Sequence, residues 1–326
     1  MNGTPAPGDL VLDVRLLRSF VAVAEELHFT RAAARLFVAQ QALSRDIGRL
    51  EARLGTPLFV RTTRRVTLTP EGRWLLERAR PLLVLHDEIV VGLREPTRPV
   101  LVDLMSEGRR TAVRVLEAAR AAAPALEFRG RYGGGMGASL HRLEAAELDV
   151  AFGRADWQGA ARSHVERQLV RYEPLAVLLP AGHPLAAAEV VPVAALAGAE
   201  MDVNPANPDA PEWSDLVSQF RALSGARATP DHIPAVGLDD QAHHLVQQGL
   251  PILTSVDHVD VPGGVVRRIV DPIPLYPWSL AWRPWSHSAG LAAIRQAAAD
   301  VARSDAWLEL PAGAWLPEPE AFGRAV

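Results

Sequence analysis

At 326 residues the chain has room for two or three domains with cores of their own, and 48% hydrophobic with 22% charged residues describes a soluble globular protein. Zero cysteines exclude disulfides, Cys-based zinc sites and thiol chemistry. No apolar run nears the ~18 residues that span a bilayer, and no signal peptide is visible, so the cytoplasm is the expected compartment. Every one of the 34 basic residues is arginine, and the net charge of −4 is unevenly spread. Residues 1–94 hold 14 Arg against 10 acids, residues 28–80 hold 11 against 4, and the rest of the chain beyond 94 holds 20 against 28. A basic head on an acidic body fits a phosphate-binding module joined to something that does not bind nucleic acid.

In chain order, residues 1–13 read as a loose leader. Val14–Glu26 is amphipathic, with Leu17, Phe20, Val21 and Ala24 on one stripe. Thr30 is a suitable N-cap for a short helix carrying Ala32, Ala33 and Leu36. Phe37–Gln40 breaks that run, and a second helix is expected from about Gln41 to Leu54, ended by Gly55. Leu43, Ile47, Leu50 and Leu54 turn inward, which leaves Gln40, Gln41, Ser44, Arg45 and Arg49 pointing away. Two short helices with a tight turn and an outward Gln/Ser/Arg face form the layout of a helix-turn-helix, whose second helix enters a major groove. The β-branched stretch after Gly55 reads as a two-stranded wing with Arg61, Thr62, Arg64 and Arg65 at its tip, suited to the DNA backbone or minor groove. Phe29, Leu36, Leu58 and Phe59 complete the expected small core. Thr69-Pro70-Glu71 opens a long helix to about Leu93, with Pro81 expected to kink it. Its apolar side (Trp74, Leu75, Ala79, Leu82, His86, Ile89, Val90, Leu93) needs a partner, either another copy or its own chain. Residues 95–99 form a hinge.

From Val100 the pattern becomes strand-helix alternation. Strands are expected in VLVDLM, LEFRGRY, LDVAFG, LAVLLP, PILTS and SLAWRP, and helices at about 109–122, 138–147, 212–224, 239–249 and 289–303. That alternation predicts an α/β domain with a mostly parallel sheet covered by helices on both faces.

The stretches LRSFVAVAEELHFTRAAARLF and ALSRDIGRLEARLGTPLFVRTTRRVTLTPEG resemble the N-terminal winged helix-turn-helix of LysR-type transcriptional regulators, from about Val14 through Ala79. More thinly, ALEFRGRYGGGMGASLHRLEAAELDVAFG, LAVLLPAGHPLA and HHLVQQGLPILTS are similar to that family's effector domain, a two-lobed fold like a periplasmic binding protein. The resemblance implies a winged helix-turn-helix at 14–70, a linker and dimerisation helix at 70–95, an effector-binding domain at 98–308 and a tail at 309–326. Lobe one would hold 98–170 and 272–308, and lobe two 171–271, with crossings near Gln168–Tyr172 and Val270–Leu275. It also implies promoter double-stranded DNA and a small-molecule effector as partners, a homodimer through the linker helices, a homotetramer of two dimers, and RNA polymerase as a further partner. Gln40, Gln41 and Arg45 match positions from which members reach the major groove, and Thr30, Arg31, Ser44 and Arg49 flank them. Gln41 departs from a proline common there, and His28 replaces a common serine, which puts a capping role at that point in doubt.

For the effector, four stretches that follow strands stand out. Ser106 and Arg109 lie where a helix opens and its free N–H groups favour an anion. Gly134 and Gly135 lie in a glycine-rich loop that lacks a dinucleotide-binding pattern. In lobe two, Asn204 and Thr254-Ser255 follow strands and would face the same crevice. The crevice's polarity suggests an organic acid, anionic or aromatic. His243-His244 beside Asp239-Asp240 are poorly placed for a shared metal, because neighbouring helix residues diverge by about 100°. Trp278, Trp282 and Trp285 read as core and lobe-surface aromatics. No GxSxG or HExxH motif occurs, and no metal or other cofactor is implied. The reading is a ligand-responsive regulator and not an enzyme. Its rivals are a constitutive or architectural DNA-binding protein with a vestigial cleft, and a solute-binding or enzymatic domain tethered to DNA.

Overall fold

The computed structural model describes residues 12–61, 65–94, 98–155, 165–202, 210–228 and 238–318. The chain divides into two compact units, Met1–Pro96 and Thr97–Val326. In the first, helices α1 (Val14–Glu26), α2 (Phe29–Arg35) and α3 (Gln40–Leu54) precede strands β1 (Phe59–Arg61) and β2 (Val66–Leu68) and helix α4 (Pro70–Arg94). One core unites them: Leu16, Leu17, Phe20 and Val23 of α1, Leu43, Ile47 and Leu50 of α3, Leu58 and Phe59, and Leu75, Ala79 and Leu83 of α4. Phe29, Leu36 and Leu54 are partly buried at its edge. Gly55 closes α3 in the left-handed conformation, and β1 pairs antiparallel with β2 as a wing.

Capping differs from expectation. The residue that caps α2 is His28, whose Nδ1 accepts from the Arg31 N–H at 3.4 Å; Thr30 lies inside the first turn. An imidazole nitrogen can do the work of a serine oxygen because capping needs only a lone pair near the free N–H groups. Helix α4 runs through Pro81 and opens as expected, with the Thr69 hydroxyl accepting from the Gly72 N–H at 2.9 Å. One stripe packs into its own unit, whereas Trp74 (59% exposed), Leu82 (44%), Leu85 (40%) and Ile89 (55%) remain in solvent.

In the second unit β3 (Val100–Asp103), α5 (Arg110–Ala122), β4 (Phe128–Arg131), α6 (Met136–Glu144) and β5 (Val150–Gly153) alternate as read. The long β6 (Glu166–Pro180) follows, then β7 (Val190–Pro192), β8 (Glu200–Met201), α7 (Pro211–Ser224) and β9 (Arg227–Ala228). After α8 (Leu238–Gln248), β10 (Ile252–Ser255), β11 (Gly264–Val270) and β12 (Ile273–Trp282), the described chain closes with α9 (Ala289–Ser304) and β13 (Ala314–Trp315). The main sheet has nine strands, with path β4-β3-β5-β12-β6-β11-β7, β10 beside β6 and β13 beside β12.

The expected mostly parallel sheet is corrected to a mixed one. β3 is parallel to β4 and β5, and β7 to β11, but β12 is antiparallel to β5 and β6, and β6 is antiparallel to β10 and β11. The reason is that β6 and β12 carry the chain between the halves of the sheet in opposite senses. β6 pairs with β12 over Glu166–Pro174 and with β10 and β11 over Leu175–Pro180. The polar first half of β6, Glu166-Arg167-Gln168, carries no apolar pattern and acquires strand form from that pairing.

The expected loose tail is also corrected, as far as Glu318. β13 adds to β12, and the Glu318 N–H donates to Gln219 Oε1 of α7 at 2.7 Å. Backbone pairing orders a segment whose composition, rich in Pro, Gly and Ala, gave no sign of it.

Candidate nucleic-acid interface and cleft

On the first unit, the buried side of α3 fixes which residues face outward. With Leu43, Ile47 and Leu50 fully buried, Gln40, Gln41, Arg45 and Arg49 are exposed and Ser44 is half-exposed. The Thr30 hydroxyl donates to Gln40 Oε1 at 3.3 Å, which ties the start of α2 to the start of α3 and leaves the Gln40 amide N–H groups for another acceptor. Ala39 supplies no side-chain cap, so the first α3 N–H groups are open to an anion such as a phosphate. Arg45 folds back lightly on the Gln41 carbonyl at 3.4 Å, and Arg49 lies 3.9 Å from Asp46. Asp46 is buried and takes its closer bond from Arg15 at 2.8 Å, so this acid anchors α1 to α3.

Two arginines expected to face DNA are paired with acids of their own unit. Arg31 pairs with Glu26 at 3.1 Å. Arg61 pairs with Glu51 at 3.1 Å and lies 4.7 Å over the Phe29 ring. Glu51 also accepts from the Leu58 and Phe59 N–H groups at 2.9 and 3.2 Å, so Arg61 completes a brace between α3 and the wing. A carboxylate within reach satisfies a guanidinium more readily than an extended pose in water, and the aromatic face beneath adds to it. Arg65 is exposed at the start of β2, whereas Thr62 and Arg64 lie outside the described residues.

On the second unit, buried Asp103 at the end of β3 joins two loops. Its carboxylate accepts from the Met105 N–H at 2.8 Å, the Gly133 N–H at 2.9 Å and the Ser139 hydroxyl. The Gly134 N–H donates to the Met105 carbonyl at 2.9 Å. The starts of α5 and α6 are thereby held side by side. Arg109 precedes α5, and its guanidinium lies 5.3 Å over the Trp213 ring. Burial holds it below the usual arginine range, opposed by the charge of Glu173 and by Tyr276.

Arg109, Glu173, Trp213, Ser255, Tyr276 and Trp278 line one narrow cleft, closed to a water-sized group as it stands. Tyr276 packs 6.0 Å from Trp213 and 5.1 Å from Trp278, forming an aromatic wall. Glu173 accepts from the Trp278 indole N–H and lies 3.4 Å from Arg171; burial raises its pKa, and the charges of Arg171 and Arg109 oppose that. The Ser255 hydroxyl, on a residue 1% exposed, has no hydrogen-bond partner. A buried hydroxyl without a partner costs about 1–3 kcal/mol, which a ligand's acceptor would recover. A cation, an aromatic wall and an unmet hydroxyl suit an acidic group on an apolar body.

Sequence reasoning placed Arg109 here and missed Trp213, Tyr276 and Glu212, the last of which governs the loop beside the cleft. Trp278 is core, as read, yet its edge also lines the cleft. Of Thr254-Ser255, Ser255 lines the cleft and Thr254 does not, since successive strand residues face opposite sides; Thr254 Oγ1 is likewise buried without a partner. Ser106 is partly buried in the loop before α5 and is not a lining residue. Gly134 and Gly135 have φ of 105° and 151° and are not lining residues of the cleft; Gly135 lies against the Glu212 carboxylate. Asn204 lies outside the described residues. The His243 and His244 rings stand 84° apart. No helix among the described residues is long and apolar enough to cross a membrane.

Comparison with known proteins agrees with this division. Residues 14–73 match the model of the bacterial regulatory helix-turn-helix protein, lysR family, and residues 94–303 match that of the LysR substrate binding domain. A small neutral protease regulatory protein of Streptomyces coelicolor is 38% identical over 218 residues, 65% of each chain. The regulator BenM of Acinetobacter baylyi is 36% identical over 180 residues, covering 53% of this chain and 57% of that one. These matches span less than two thirds of the relatives' own length. Among solved structures, full-length BenM is similar with a TM-score of 0.54 and 27% identity, covering 92% of this chain and 100% of that chain. Full-length OxyR from Pseudomonas aeruginosa shares the fold, with a TM-score of 0.57 and 23% identity over 90% of this chain and 95% of that one.

Proposed function

The chain belongs to the lysR family of bacterial regulatory helix-turn-helix proteins, and from that premise we propose that it is a sequence-specific transcription regulator whose promoter binding responds to a small molecule in the cleft of its second unit. The observation that carries the DNA half is the exposed Gln40, Gln41, Arg45 and Arg49 edge of α3 above a closed core. Gln pairs with adenine and Arg with guanine in a major groove, and phosphate contacts at the α3 N-terminus and from Arg65 set the register. Arg31 and Arg61 brace the module, and their effect on binding passes through its shape.

A homodimer formed on the exposed stripe of α4 (Trp74, Leu82, Leu85, Ile89) presents two such edges to a pseudo-palindromic site. Two dimers form the tetramer and RNA polymerase is the further partner, as the family resemblance implies. The effector-binding domain is 98–308, with lobes 98–170 plus 272–308 and 171–271. The effector binds one arrangement of lobes better than the other, and that difference shifts the DNA-bound state. The working compartment is the cytoplasm, and the second unit binds its ligand without turning it over. Turnover of a metabolite by the purified chain would replace that part with the enzymatic rival.

The test is fluorescence anisotropy on promoter fragments retained by the protein from its own genome. Arg45→Ala is expected to lose about 1–3 kcal/mol of specific affinity with little change in non-specific binding. Unchanged specific affinity removes Arg45 from base readout. Retention of all fragments alike by the wild type overturns sequence-specific regulation.

A further inference from the structure

We infer that Glu212 pre-fills one of two neighbouring anion positions at the cleft, so that the effector is a monoanion, its single acidic group on Arg109 and Ser255 and its apolar body against Trp213 and Trp278. This rests on the reading that the cleft takes an effector.

Two helix starts meet there. α5 follows Arg109 without a side-chain cap, and α6 follows Gly135 without one of its own. Both N-termini favour negative charge. The α6 terminus is already taken: Glu212, in the first turn of α7, accepts from the Met136 N–H at 2.7 Å and the Gly137 N–H at 3.1 Å. The glycine-rich loop is built for this approach. A Cβ at Gly135 would stand 2.5 Å from Glu212 Oε1, and one at Gly137 2.4 Å from Pro211 Cδ. Side chains at either position would drive the carboxylate out of its seat.

The α5 side has the opposite condition. Arg109 makes no ion pair among the described residues, and the buried Ser255 hydroxyl beside it is unmet. One anion position is filled by the Glu212 carboxylate, whereas at the other Arg109 has no carboxylate within ion-pair distance among the described residues, although Glu173 lines the same cleft and its charge acts on Arg109. Burial also raises Glu212 to about 7, against its two N–H bonds and the charge of Arg154. A site that already disfavours its resident carboxylate disfavours a second charge beside it. A dianion would meet the Glu212 carboxylate where its second group needs a donor.

Two measurements on the full chain test this. Glu212→Ala frees the α6 position; relative to sodium chloride at equal ionic strength, sodium formate is expected to raise that variant's melting temperature by several degrees more than it raises that of wild type, where only the Arg109 position is open. Equal effects of the two salts on the variant overturn the anion position. Glu212→Gln, which keeps an acceptor in the seat, should fold and respond to formate no more than wild type does, and a formate response equal to that of Glu212→Ala also overturns the proposal. In the second, benzoate and phthalate are titrated above the Glu212 titration range. Wild type is expected to bind benzoate at least tenfold more tightly, the preference narrowing in Glu212→Ala and benzoate binding disappearing in Arg109→Met. Phthalate binding as tight as benzoate in wild type overturns the monoanion inference and leaves the effector reading standing. If no small acid binds in an Arg109-dependent way, the effector reading fails, while formate rescue still reports on Glu212.

Discussion

Arginine is the only strongly basic side chain available to this protein, and its two units differ in its use: the arginines of the first whose burial is described are all exposed, whereas the second has exposed ones and buries others. In the first unit Arg45, Arg49 and Arg65 are exposed, and the arginines of its ion pairs with Glu26, Glu25 and Asp46 keep half or more of their side chains in water. In the second unit Arg154 and Arg283 are buried, with Arg154 on Asp215 and Arg283 on Asp149. Surface pairs are worth about 0–1 kcal/mol, so an outer arginine can be given over to phosphate or base at small cost to the fold. A buried one is a strut, because removing either partner leaves an uncompensated charge or unmet carbonyls. Burial and not residue type separates the two roles.

The contrast is sharpest where breaking it costs most. Arg283 donates to the Leu143 and Leu148 carbonyls and to Asp149, which also takes the Leu101 N–H at 2.8 Å. Arg283→Ala is expected to cost about 3–5 kcal/mol of stability in chemical denaturation. A loss under about 1 kcal/mol would place it with the surface arginines.

Next in size is a pH effect. Glu212 interacts with the charge of Arg154 and acts on Tyr276, and Arg154 is itself paired with Asp215. A carboxylic acid raised from 4.5 to about 7 on folding binds its proton more tightly in the native state. Its contribution is therefore fully present below its unfolded pKa and is lost as pH rises through the folded one. The wild-type melting temperature should fall between those values more steeply than that of Glu212→Gln; parallel curves would show that Glu212 titrates normally.

Smaller still is the distinction within the first unit. Arg64→Ala with Arg65→Ala should weaken binding to all DNA sequences and lower the slope of log affinity against log salt by about 0.9 for each phosphate no longer neutralised. Arg61→Ala should leave that slope alone and cost about 1 kcal/mol of stability through its Glu51 pair and Phe29 contact. A reduced slope for Arg61→Ala would return it to the phosphate-binding set.

Legibility tracked the range of the interaction that decides each feature. The helices of the first unit were readable because Leu43, Ile47 and Leu50 recur within one or two turns. The cap on α2 was not, since a histidine and a threonine both offer a lone pair and only backbone geometry chose His28. In the second unit β3, β4, β5 and β10 were visible as apolar runs. The start of β6 and all of β13 were hidden, because neighbouring strands, not their own apolar pattern, make them strands. Arg109 could be named from its place before a helix. Trp213 and Tyr276 could not be tied to it, being more than a hundred residues away.

Local spacing of apolar side chains, N-terminal charge and the helix-turn-helix landmarks were enough to establish a DNA-binding head, a long connecting helix and an α/β body. Those signals act between residues a few positions apart, and the chain's covalent geometry imposes them before any tertiary contact forms. Tertiary structure alone decided that Arg31 and Arg61 pair with Glu26 and Glu51, that the sheet's central strands run antiparallel, and that Glu212 reaches a helix start 75 residues away. Such pairings depend on which groups meet when distant segments close on one another and lose their water, and no periodicity within a segment encodes that.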